Sequence, residues 1–173
     1  MFNFIKQKKN NETKLYNKML SLSRNKFFFT NISLSDTFQN RIYLLFIHIS
    51  FLLIKIKKNN KKGYKIFYQD FFDYTFDQIE INMREIGYGD VSVNKNMKSL
   101  VKNFYNILLY CETYINKNFD EKATFFQKYL DHNTDKKTLN STNLVKYFDK
   151  YQTFCFNLNL DSVLKGNLEF DYK

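Results

Sequence analysis

Proline is absent from this 173-residue chain, and glycine occurs only four times. Antiparallel sheet folds need many tight turns, and such turns draw on Gly and Pro. The shortage therefore argues against a turn-rich β fold and favours helices. Tryptophan is also absent, and the two cysteines, Cys111 and Cys155, form no C-x-x-C pair. That argues against a disulfide framework and a zinc site, and both cysteines read as reduced, small apolar residues on helices. The segment from Met1 to Lys14 has no apolar h-region, so no secretory signal is expected. It is also too short and interrupted for a mitochondrial transit peptide. Alanine occurs once, at Ala123, and arginine three times, at Arg24, Arg41 and Arg84.

What is present is apolar and basic. Hydrophobic residues make up 44% and charged residues 25%, the balance of a globular chain and not of a disordered one. The length suits one domain with a real core. The formal net charge is +10. It has two readings: an anionic partner such as RNA, a ribosome or an anionic membrane, or an AT-rich genome that inflates lysine and asparagine. The run from Ile42 to Ile54 is apolar except for His48 and Ser50, between Arg41 and Lys55. A spanning helix needs about 20 such residues, so the run reads as a buried core helix.

Apolar periodicity and capping patterns divide the chain. Residues 1–11 are polar and basic and are expected to be flexible. A short helix is expected over Glu12 to Asn25, then an apolar connector from Phe27 to Leu34. Asp36 with Gln39 forms a capping-box pattern opening a helix to Lys57. Lys57 to Gly63 reads as a solvated basic turn. A third helix runs from Tyr64 to Ile86 and is stopped by Gly87, followed by a loop through Val93. A fourth spans Asn94 to Asn116. Asn118 with Glu121 caps a helix to Leu130, and a last helix covers Ser141 to Phe156. The expected fold is a single-domain, all-α bundle with a central antiparallel hairpin. The helical domain spans 12–160, and residues 161–173 form a tail of undefined structure.

On the third helix, Asp70, Asp73, Asp77, Glu80 and Arg84 recur at helical spacing and share an arc of roughly 60°. The rest of that helix is largely apolar, as in a buried helix, where carboxylates need partners. On the preceding helix Arg41, His48 and Lys55 are seven residues apart and share one face. An antiparallel hairpin would set His48 near Asp73, and Arg41 near Asp77 or Glu80. The expectation is an internal ion network of Arg41, His48, Asp70, Asp73, Asp77 and Glu80. Catalytic motifs are missing: no P-loop, G-x-S-x-G, H-E-x-x-H or dinucleotide fingerprint, and no Glu-x-x-His pair for a di-iron bundle. His48 and His132 are the only histidines. The chain therefore reads as a binding protein without a catalytic site, metal or cofactor.

Three segments resemble the ubiquinol–cytochrome c chaperone family. Asp36 to Arg41 followed by His48 matches an Asp-x-x-x-Gly-Arg-Phe…Leu-His pattern, with Asn40 in place of Gly. Asn is a residue that tolerates φ > 0. Phe72-Asp73 through Phe76-Asp77 to Arg84-Glu85-Ile86-Gly87-Tyr88-Gly89-Asp90 matches the family's acidic helix and Arg-Glu-x-Gly-x-Gly-Asp loop. Val93, Lys95, Met97 and Lys98 through Phe104-Tyr105 match the run that follows. The resemblance covers about residues 15–115. It implies a non-catalytic, all-helical chaperone binding newly made cytochrome b during assembly of the bc1 complex. Such a chaperone would sit at the cytoplasmic face of a bacterial inner membrane, or at the matrix face in mitochondria. A small partner protein, a ribosome or an anionic membrane surface are further partners it implies, and DNA is not. Partner binding is expected at Arg84, Glu85, Gly87, Tyr88, Gly89, Asp90 and Lys95. The alternative is a basic helical RNA- or ribosome-binding module using the lysines of Lys57–Lys62 and Lys95–Lys102.

Overall fold

The computed structural model describes residues 2–58, 62–130 and 139–172, with side chains from residue 11 onward. Eight α-helices follow in order: α1 (Phe2–Ser23), α2 (Lys26–Thr30), α3 (Phe38–Lys57), α4 (Lys62–Glu85), α5 (Asp90–Thr113), α6 (Phe119–Leu130), α7 (Ser141–Asn157) and α8 (Leu160–Leu164). A 3₁₀ turn, Tyr114–Asn116, joins α5 to α6. Among the described residues there is no strand.

The core is built around α3. Its residues from Ile42 to Ile54 are all buried, because the helix carries no acidic residue and is apolar nearly all round. It touches α1, α4, α5, α6 and α7, most extensively α5 and then α1. The expected α3–α4 hairpin is therefore not the organising unit; one buried helix is wrapped by the others. By length and hydropathy α3 would pass for a membrane span, but 83% of its most apolar window is covered by the protein itself.

Several boundaries follow the sequence patterns. The Asn118–Glu121 capping box forms reciprocally, Glu121 N–H donating to Asn118 Oδ1 at 2.9 Å and Asn118 N–H to Glu121 Oε2 at 3.0 Å. Other expectations are corrected. The N-cap of α3 is Thr37, whose side chain accepts from Asn40 N–H at 3.1 Å; Asp36 is instead held by Arg41. Asn40 lies inside α3 without positive φ, and its amide donates to Ser35 O at 2.9 Å. The apolar connector contains α2, capped by Asn25. The backbone of α1 runs back to Phe2, through the stretch expected to be flexible. Residues 59–61 of the basic turn, and His132, lie outside the described residues.

The tail beyond α7 is also structured. Leu168 is buried, Phe170 packs on Tyr151 with ring centroids 5.1 Å apart, and Tyr172 packs on Tyr147 at 4.8 Å. Gly166 (φ +75) lies so close to α1 that a Cβ there would stand 2.7 Å from Lys14 Cβ. The tail thus packs back onto the middle of α1.

Candidate functional site

The Asp36–Arg41 segment and the Arg84–Asp90 turn come together at one end of the bundle. The last turn of α4 closes in a Schellman motif, with Gly87 N–H donating to Arg84 O and Tyr88 N–H to Met83 O, both at 3.0 Å. Gly87 sits at φ +95 in open space, so backbone conformation is what requires glycine there. Gly89 caps α5, which begins at Asp90, four residues earlier than its apolar pattern suggests. Arg84 ties the turn together. Its guanidinium meets Glu80 at 2.9 Å across one helical turn and also bonds Asp90. Asp90 first and Glu80 second push the Arg84 pKa further up.

Across from this turn stands the start of α3. Arg41 grips Asp36 through two parallel bonds, Nε to Oδ1 at 2.5 Å and Nη2 to Oδ2 at 2.8 Å. The bidentate fork holds the Asp36 carboxyl below its usual range. Phe38 and Tyr88 approach with ring centroids 6.5 Å apart, which links the two segments. Between them and α1 lies a groove of about 390 Å³. Its walls are apolar (Tyr16, Leu20, Ile42, Leu45, Ile79 and Ile86), and Arg24, Asp36, Arg41 and Asn82 supply the polar groups. Ile86 and Tyr88 stand exposed beside it. Such an arrangement can hold an apolar segment and anchor its polar flank. Among the described residues no three His, Cys, Asp or Glu side chains gather as a metal site would require.

The other expected partner residues are placed more loosely. Glu85 is exposed at the end of α4, and Lys95 is exposed further along α5, beyond the turn. The groove and the Phe38–Tyr88 contact were not foreseen. Asp36 and Arg41, five residues apart across a helix start, were the available signal.

The internal ion network does not form. His48 is fully buried. Its Nδ1 lies 2.6 Å from Leu44 O, a carbonyl that can only accept, so Nδ1 carries the proton. Nε2 then accepts from the Tyr147 hydroxyl at 2.8 Å. Phe28, Phe148 and Tyr151 complete an aromatic cage. Burial pushes the imidazole pKa down to about 4, so it is neutral at physiological pH. The heptad face is real, but it looks at α2 and α7 instead of α4: Arg41 lies over Phe29, His48 meets Tyr147, and Lys55 bonds Phe156 O. On α4, Asp73 and Asp77 are exposed and Glu80 half-buried. Asp73 accepts from Gln69 at 2.8 Å, and Asp70 is half-buried. None of these carboxylates meets Arg41 or His48, because α4 buries only one side and turns its acidic stripe outward. The cysteines are buried and free on α5 and α7, and burial raises both thiol pKa values.

The fold and this end of it define an all-helical domain with an apolar groove beside a glycine turn. Comparison with known proteins makes that specific. The family model described as ubiquinol-cytochrome C chaperone matches residues 30–170, and the chain belongs to that family. The match extends well beyond residue 115, where the recognisable motifs stop. The crystal structure of the Cbp3 homolog from Brucella abortus has the same fold, with a TM-score of 0.82 at 20% sequence identity, covering 98% of this chain and 93% of that one. No curated protein matches the sequence.

Proposed function

We propose that this protein is a non-catalytic assembly chaperone that binds newly made cytochrome b during biogenesis of the ubiquinol–cytochrome c reductase complex. The observation that carries the proposal is the family match over residues 30–170. The geometry supports it: two of the three family-like segments flank one apolar groove, with Ile86 and Tyr88 exposed at its edge. A membrane protein awaiting assembly exposes apolar helices and charged loops. The groove suits the former, and Glu85, Asp90 and the Asp36–Arg41 pair suit the latter. The site of action is the cytoplasmic face of a bacterial inner membrane, or the matrix face of the mitochondrial one. Exposed Lys57, Lys58 and Lys62, where α3 gives way to α4, suit a ribosome or anionic lipid at the same location.

Deleting the gene tests this. The expected result is loss of cytochrome b and of bc1 activity, with the other respiratory complexes intact and rescue by the wild-type chain. Normal bc1 levels in the deletion strain would overturn the proposal.

A further inference from the structure

Of the nine large apolar side chains exposed among the described residues, seven lie on α4, on α5 or in the turn between them. The outer face of this helix pair is therefore unlike the rest of the surface. Its charges are also sorted. On α4 the outward stripe carries the exposed Asp73 and Asp77 and the half-buried Glu80; on α5 it carries the exposed Lys95, Lys98 and Lys102. Both stripes use the three–four spacing that keeps residues on one helical face. Phe72 meets Phe104 and Tyr105 at 5.5 and 5.8 Å, so the helices run antiparallel. Counted from the middle of the Gly87–Tyr88 turn, Asp73 stands level with Lys102, Asp77 with Lys98, and Glu80 with Lys95.

Within one chain these levels do not produce ion pairs. Among the described residues Arg84 pairs with Glu80 and Asp90, and Glu112 with Lys57. Asp73, Asp77 and the three lysines join none. Each helix instead holds a row of like charges in successive steps of three and four residues, which is unfavourable unless something of opposite sign lies against it. A bilayer or a nucleic acid would satisfy the lysines and repel the carboxylates. Acidic and basic residues nearly balance over these two helices, although the whole chain is +10.

A second copy of the same chain satisfies both rows. A two-fold axis lying in the contact plane and parallel to the helices lays α4 of one copy on α5 of the other at unchanged height. Each carboxylate then faces the lysine at its own level. Ile66 and Leu109 (44% and 61% exposed) are also level with one another and would meet across the same plane. An isologous contact needs such a self-complementary patch. We infer that the outer face of α4 and α5 is a two-fold homodimer interface, with the acidic stripe of each copy on the basic stripe of its partner.

Reciprocal charge reversal tests this on the full purified chain, with mass read by sedimentation equilibrium. The wild type is expected to be a dimer that dissociates as salt is raised. D73K/D77K and K98D/K102D are each expected to halve the mass. Mixing these two variants restores the dimer, and so does combining all four changes in one chain. Because the four positions are exposed, circular dichroism should show unchanged helix. D77K and K98D alone give weakened dimers by the same readout if a double variant misfolds. A wild type monomeric at its highest soluble concentration would overturn the inference. So would reversal variants that stay dimeric, or a mixture that stays monomeric.

Discussion

Helices α3 and α4 are adjacent in the chain, similar in length, and both aromatic- and isoleucine-rich, yet the fold treats them oppositely. Helix α3 carries Arg41, His48 and Lys55 on one face, and His48 ends inside an aromatic cage with no carboxylate near it. Helix α4 carries its carboxylates on one face, and that face turns out of the fold, with Asp73 and Asp77 exposed. A single imidazole can be buried because it can shed its charge and still make two hydrogen bonds. A row of carboxylates cannot, and takes the helix to the surface.

The largest test of this contrast is to force charge into α3. His48→Asp places a carboxylate among Phe28, Phe148 and Tyr151, and is expected to cost about 3–5 kcal/mol, read from urea denaturation. The matching change on α4, Asp77→Asn, breaks no ion pair within the chain and should leave monomer stability, read at dissociating dilution, within about 0.5 kcal/mol. Acid titration sharpens the same point. The folded chain keeps His48 neutral down to about pH 4, while in the unfolded chain it titrates near 6.5. Below pH 6.5 the unfolded state takes up a proton that the folded state refuses. The His48 contribution is thus intact above pH 6.5 and is lost as pH falls towards 4, on the order of 3 kcal/mol in all. His48→Gln should remove that part of the pH slope. A smaller effect belongs to the turn: Gly87→Ala at φ +95 should cost about 1 kcal/mol through strain alone, seen as a modest shift in melting temperature. The smallest effect on stability is expected for Arg84→Ala, which should leave the melting temperature nearly unchanged while reducing the cytochrome b recovered with the protein.

Local chemistry made much of this legible. The Asn118–Glu121 box, the Gly87 stop and the burial of Ile42 to Ile54 depend on neighbours in sequence, and each was readable from spacing. The His48 cage was not. Its walls come from α2 and α7, with the tail packed behind Tyr147, and no periodicity says which neighbour a buried face will meet. The heptad of Arg41, His48 and Lys55 was correctly read as one face and wrongly paired, because a helix apolar all round can be approached from any side. Asp36 was misread for a related reason: its carboxylate can cap a helix or grip an arginine, and Thr37 was available for the cap. The motif residues Arg84 to Asp90 were visible as a unit, but the groove beside them needed α1, which the motif does not contain.

The seam between Tyr147, Tyr151, Phe170 and Tyr172 has a kinetic consequence. The cage around His48 draws on α2 and α7, which are far apart in the chain. Most of the intervening loop entropy must therefore be spent before the imidazole loses its water. Desolvation of His48 belongs to the end of folding, so mild acid should slow the last, rate-limiting closure of the bundle and leave the earlier formation of individual helices at its ordinary speed.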